Sequence, residues 1–414
     1  MDNFIGNVYI FIPCYVADKA RHLRFLKHSE KAKNSDCAFL DLMERRSEGE
    51  IVWKVTQNTT RRYLGRYDFA CFDPEEERLH GHFTYSGSVY ETSHDSSGLS
   101  IVVVCLEGFV GPITELLDRV SGEALEIYLG GDERGQSNFH AFKEELKTSF
   151  GLAKAGVTRV CISTFEMPDA EIIPYCFANE TYLASDMNSK VIAPTYVRQA
   201  RENLAEYSSA EIFAGARTVL RLDRDSRSED CKAPNPWADS KLLFLIEVLM
   251  MKEAAISRSN KHVIETIESG SRVTLDVIES LSKQFGKTMP FWNIDSFKYI
   301  TAQNLADKLD RRFGLDDKLH KYFDNQRFLE HRINVRYAQQ ERSEDVILYI
   351  IAILLFIFQG TPFLYRIILS LYMGVELEHP DLLAISGSVG ITLSLIAMLL
   401  IILKRKRRIK NLDN

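Results

Sequence analysis

The chain has 414 residues, 45% of them hydrophobic, with 51 Lys and Arg against 57 Asp and Glu. That is enough for one large or two modest domains with real cores, and an acidic balance argues against duplex nucleic acid as a direct partner. Seven cysteines (Cys14, Cys37, Cys71, Cys105, Cys161, Cys176 and Cys231) include no CxxC pair, which fits a reducing compartment and disfavours a disulfide framework or a zinc site.

The amino-terminal stretch MDNFIGNVYIFIPCYV lacks a basic n-region and a small-residue cleavage site, so it does not read as a secretory signal. From Asn7 to about Glu166, β-like runs alternate with helical ones. Strands are predicted over Val8 to Val16, Ile51 to Val55, Tyr67 to Phe72, His82 to Tyr90, Ile101 to Cys105, Leu125 to Leu129 and Val157 to Phe165. Helices are predicted over Ala17 to Arg46, Ile113 to Val120 and Phe139 to Phe150. This mixture implies an α/β domain with a mixed sheet, assigned to residues 1–222. His80 and His82, with Asp73 and Glu75 to Glu77 upstream, lack a defined third metal ligand. GGDERG at Gly130 to Gly135 lacks the Lys-Ser or Lys-Thr of a phosphate loop and reads as a turn. No Ser-His-Asp or Cys-His arrangement emerges, so the chain is not read as an enzyme and no catalytic residue or metal ligand is assigned.

From Pro194 the pattern turns helical, with Thr195 to Leu222 predicted as one amphipathic helix. The charged stretch before Pro234 and Pro236 marks a linker at 223–237. Beyond it, 238–345 reads as a helical stalk region opened by LLFLIEVLMM, too short to span a bilayer and therefore a buried core helix. Leu305, Leu309, Phe313, Leu319, Phe323, Leu329, Ile333 and Tyr337 form one stripe. A continuous helix from about Ser296 would be on the order of 90 Å long and would need neighbours, favouring an oligomer. The alternative is a helical bundle with a turn at Gly314.

Two long apolar runs close the chain: Val346 to Leu371 and Leu382 to Leu403. Each exceeds the roughly 20 helical residues that cross a bilayer, and they are assigned as transmembrane helices 346–371 and 382–403, joined by an outer loop at 372–381. The 404–414 tail carries Lys404, Arg405, Lys406, Arg407, Arg408 and Lys410, whereas the loop carries Glu376, Glu378 and Asp381 without Lys or Arg. Positive charge stays inside, so both termini are expected in the cytoplasm of a bacterial inner membrane. In the first run Gln359, Arg366 and Ser370 share a helical face, with Thr361 nearby and Pro362 able to kink the helix. Arg366 either faces a pore or snorkels to the outer headgroups about 9 Å away.

This layout resembles the CorA family of magnesium and cobalt transporters. In that family the first span ends in Tyr-Gly-Met-Asn before an acidic segment with Met-Pro-Glu; here the segment is Tyr372, Met373, Gly374, Val375, Glu376, Leu377, Glu378, His379, Pro380, Asp381, with Gly and Met inverted and the Asn absent. Pro362 corresponds to the family's mid-span proline. The resemblance implies a pentamer in the lipid bilayer, with Tyr372, Met373, Gly374, Glu376 and Glu378 at the pore mouth. Loss of the Asn, together with Arg366 in the pore, disfavours Mg²⁺ passage. It is nearer to the divergent branch beside type III CRISPR systems, regarded as membrane effectors switched by a nucleotide messenger, S-adenosylmethionine joined to AMP. For such an anionic ligand the sequence offers Arg217, Arg221 and Arg224 on one helical face, and a second cluster of Arg61, Arg62 and Arg66 with Tyr63 and Tyr67. A divalent-cation (Mg, Co or Ni) transporter and a membrane-anchored binding or enzyme domain are the alternatives.

Overall fold

The strand β1 (Phe4–Val16) sends Tyr9 and Phe11 into one apolar core and Val8, Ile10 and Ile12 into another. Side chains alternate across a strand, so the unbroken run VYIFI records a strand covered on both faces. A computed structural model shows this arrangement and describes residues 4–29, 38–50, 59–71, 83–111, 113–121, 125–131, 137–166, 201–206, 208–224, 234–268, 275–288 and 297–374. The chain divides into two compact units, Met1–His331 and Arg332–Asn414.

In the first unit, β1 is followed by α1 (Lys19–Ser29), α2 (Ala38–Glu50), β2 (Thr59–Cys71), β3 (Phe83–His94), β4 (Leu99–Gly111), α3 (Ile113–Ser121), β5 (Glu126–Gly131) and β6 (Ser137–Ala141). Then come α4 (Phe142–Thr148), β7 (Leu152–Lys154), β8 (Arg159–Thr164), β9 (Ala210–Ala214) and β10 (Thr218–Asp223). The strands form one sheet in the order β6-β5-β2-β3-β4-β1-β8-β10-β9, with β7 also paired to β1. Only β8 and β10 run parallel among these pairs, so the sheet is mixed as predicted.

Three helices and a long fourth complete the described chain: α5 (Pro236–Glu268), α6 (Leu275–Gly286), α7 (Ile300–Phe313) and α8 (Leu315–Met373). One face of the sheet packs on α2, α5 and α7 through Met43, Leu242 to Ile246 and Leu305; the other packs on α1, α3 and α4 through Leu26, Leu116 and Leu146. The result is a three-layer α/β/α unit.

Several sequence expectations are corrected. The predicted helix Thr195 to Leu222 is, in its described carboxyl-terminal part, the hairpin of β9 and β10, closed by a hydrogen bond from Gly215 N to Thr218 O of 2.9 Å. β10 is buried along its whole length, and a strand covered on both faces loses the period-two signal that would mark it. Phe139 to Phe150 begins as the strand β6 before α4. The linker at 223–237 does not divide the structure, since α5 beyond it lies on β1 and β4 of the same unit.

The long helix begins later than expected, because α7 ends at Gly314, whose left-handed φ of +64° closes α7. α8 then runs for 59 residues, through Pro362 to Met373, and Gly374 follows with φ +62°. Of the predicted stripe, Leu305, Leu309, Phe313, Leu329 and Ile333 are already buried, Leu319 is half-buried and Phe323 is exposed. Among the described residues no helix is long and apolar enough to cross a membrane. Within 346–371 the described side chains are those of 347–352, 354, 355 and 371. The strand expected at Ile51 to Val55, the His80–His82 group, the span 382–403 and the tail 404–414 lie outside the described residues, as do Glu376 and Glu378.

Candidate functional site

α5 carries Glu247, Lys252 and Glu253 inside a run otherwise apolar enough for a core, and all three are buried. Buried charges persist only when paired. Glu253, with 0% of its surface exposed, pairs with Arg159 of β8 and with Lys318 of α8, and accepts the Val157 N–H at 3.2 Å. Lys252, one residue earlier and so on a different side of the helix, reaches Asp310 of α7 at 2.8 Å and Asp316 of α8 at 3.3 Å. The first turns of α8 are thus tied to α5 by two separate ion pairs.

Arg159 completes the joint. Its Nε donates to Ala216 O at 3.0 Å, its Nη2 donates to Phe313 O at 3.3 Å, and its guanidinium lies over the Phe313 ring at 4.1 Å. A cation at a helix carboxyl terminus is favourable, so Arg159 caps α7 one residue before the Gly314 corner. Burial, then the nearby Arg217 charge, draws the Arg159 pKa down to about 9. Burial, with Arg159, Arg217 and Lys321 adding to it, lowers Lys318 to about 8, and burial raises Asp310 to about 6 against the pull of Lys252.

Two further buried networks fix other joints. Asp239, in the first turn of α5, accepts from Tyr9 at 2.9 Å, Ser163 at 2.5 Å, Arg221 at 2.9 Å and Asn7 at 3.5 Å. Burial raises its pKa, with Arg221 and the three hydrogen bonds opposing. On the opposite face of the sheet, the fully buried Glu91 accepts from Ser100 at 2.7 Å and pairs with His22 of α1 at 3.2 Å.

Burial depresses the His22 pKa, but the hydrogen bond and charge of Glu91 outweigh it and leave it above 6.5. A raised folded-state pKa contributes stability that is complete below the unfolded value and is lost as the pH rises through the folded one. The melting-temperature advantage of the wild type over His22→Gln is therefore expected to be largest below pH 6.5 and to shrink in alkaline buffer. A difference that stays constant with pH would contradict the ion pair.

The arginines singled out from the sequence do not form a shared face. Arg221 lies on β10 and is buried against Asp239 and Asp223; Arg224 follows β10 and pairs with Glu211 at 2.8 Å. Arg217 precedes β10 and is the one whose charge acts on Arg159 and Lys318. A strand in place of the expected helix is what separates them. The second cluster is split by a bulge in β2 between Tyr63 and Gly65, which reverses the alternation. Arg61 pairs with Glu247 at 2.5 Å and Tyr63 packs on that face, whereas Arg62 donates to Ser93 at 2.9 Å and Tyr67 packs on the other. Arg66 is exposed and donates to Ser86.

Gln359, Thr361, Arg366, Ser370 and Met373 lie on α8, but their side chains are outside the described set; Tyr372 is 90% exposed near the end of that helix. Among the described residues no group of three or more His, Cys, Asp or Glu could hold a metal ion. No protein-family model, curated protein or solved structure matches the chain.

Sequence reasoning missed Arg159, Lys252, Glu253, Asp310 and Lys318. The available signal was in α5: three charged residues inside LLFLIEVLMMKEAAI, a run with no room for a polar face.

Proposed function

We propose that the chain is a homo-oligomeric membrane pore of the divergent CorA type, opened by a nucleotide messenger bound on the cytoplasmic side, and that it disturbs ion balance as a defence effector. The observation that carries this reading is α8. One helix begins in the buried charge cluster, where Asp316 and Lys318 are held by Lys252 and Glu253, and continues into the apolar run Val346–Leu371.

The described side chains of that run support a bilayer around it. Ile347, Tyr349, Ile350, Ile351 and Leu354 are all exposed, Leu354 at 55% and Leu371 at 80%. A succession of large exposed aliphatics is costly in water and marks a surface meant for lipid or for another protein. The second run and the basic tail supply the remainder of a hairpin with both ends inside. Gly374, in the left-handed conformation directly after α8, closes the helix where the resemblance puts the pore mouth.

Gating follows as a population shift, in which the messenger favours one arrangement of the α8 base over another. A charged residue at the position of Arg366 faces water if the run lines a pore. Liposomes carrying Arg366→Ala are expected to show a changed ratio of cation to anion flux relative to wild type. Identical ion selectivity would remove Arg366 from the conduction path and assign it to the outer headgroups.

A further inference from the structure

The carboxyl-terminal half of α5 and the start of α8 enclose a groove of about 520 Å³ in the first unit. Its walls include Ile256 and Ile264, Asn260 and Lys261 from α5, and Lys318 and Lys321 from α8. Small-molecule sites fall in the range of roughly 300–1,000 Å³ and combine apolar walls with a few convergent polar groups. Lys318 and Lys321 are three residues apart and therefore neighbours on one helical face.

The charges do not cancel at the α8 wall. Glu265 is engaged by Lys261 at 3.8 Å and by His262 at 3.5 Å, leaving Glu268 as the other acid of the lining. Glu253 is a single carboxylate shared by two cations, Arg159 and Lys318, and Lys321 is exposed beside them. The Asn260 carboxamide oxygen accepts from Asn325 Nδ2 at 2.7 Å, so what Asn260 offers the groove is its amide N–H donors. The cations of α8 thus lie across a space of nucleotide size from an α5 wall that offers the Ile264 side chain and the Asn260 N–H donors.

We infer that this groove binds a nucleoside phosphate, with the phosphate on Lys318 and Lys321 and the base against Ile264, the exposed isoleucine of the lining. The binding claim stands on the groove; its consequence for gating rests on the pore reading above. Lys318 gives the coupling, because a phosphate drawing its ammonium competes with Glu253, one of the two ties that hold the base of α8. Occupancy of the groove would then be felt at the start of the helix that carries the apolar run.

The test is calorimetric titration of ADP and of inorganic pyrophosphate into the full-length protein in detergent. Hydrogen bonds to charged groups contribute about 1.5–3 kcal/mol, so Lys321→Glu is expected to raise the Kd for ADP about tenfold or more. Lys321 is exposed, and an unchanged melting temperature verifies that the variant folds; Lys283→Glu on α6, outside the groove, should bind as wild type does. Equal affinity in wild type and Lys321→Glu, or no binding of either probe by wild type, would overturn the inference. Ion flux through the same protein reconstituted in liposomes separates the two claims. Groove-dependent binding without flux keeps the site and removes the pore, whereas flux without groove-dependent binding does the reverse.

Discussion

Glu253→Ala is expected to destabilise the first unit by about 3–5 kcal/mol, the usual cost of removing one partner from a buried ion pair. The loss is large because Arg159 cannot reach water: it lies at 1% exposure under Phe313 and would keep its charge with only carbonyl and sulfur acceptors around it. In a unit of this size the melting temperature should fall by on the order of 10 °C. Arg159→Met combined with Glu253→Leu replaces the buried Arg159–Glu253 pair by apolar groups of similar volume and leaves Lys318, whose side chain is 32% exposed, to water, so it should recover most of that loss. A single Glu253→Ala variant that melts with the wild type would show that Glu253, with Arg159 and Lys318, does not hold the joint between α7 and α8.

Asp239→Ala is expected to cost a similar amount, about 3–5 kcal/mol, for a different reason. Here one carboxylate serves donors from three elements: Asn7 and Tyr9 on β1, Ser163 on β8 and Arg221 on β10. Removing it strands buried donors where no water replaces the acceptor, although Asp223 still holds one Nη of Arg221 at 3.0 Å. Asp239→Asn retains acceptor capacity and should lose clearly less, which separates the hydrogen-bonding role from the charge. Equal melting of Asp239→Ala and Asp239→Asn would contradict this account of the network.

These networks sit at the places where sequence reading and structure part. β1 and β4 were legible because Val8 to Val16 and Ile101 to Cys105 are dense in β-branched and aromatic residues and are bounded by turn-forming segments. α5 was legible as a core helix from its length and hydropathy. β9 and β10 were not, because Ile212, Phe213, Val219, Leu220 and Leu222 occur at spacings that also suit a helix, and pairing to β8 decides between them. Pairing partners distant in sequence leave no local trace. The same holds for the candidate site: Arg159, Glu253 and Lys318 are far apart in the chain and meet only because α5 crosses β1 and β4.

Gly314 shows the opposite case. A lone glycine inside a helical pattern weakly marked the end of a helix, and the left-handed residue that closes α7 makes that turn real. The part of the apolar stripe before that corner is satisfied within the chain, since Leu305, Leu309 and Phe313 are buried there. The proposed assembly around a shared axis draws on the exposed aliphatics of α8.

Ion flux across liposomes reconstituted with the full-length protein tests the central claim most directly, with and without S-adenosylmethionine joined to AMP and over a panel of monovalent and divalent ions. The account predicts flux that appears only with the messenger and does not select Mg²⁺. Constitutive Mg²⁺-selective flux would contradict it and make the chain a transporter, and silence under every condition would make the apolar hairpin an anchor.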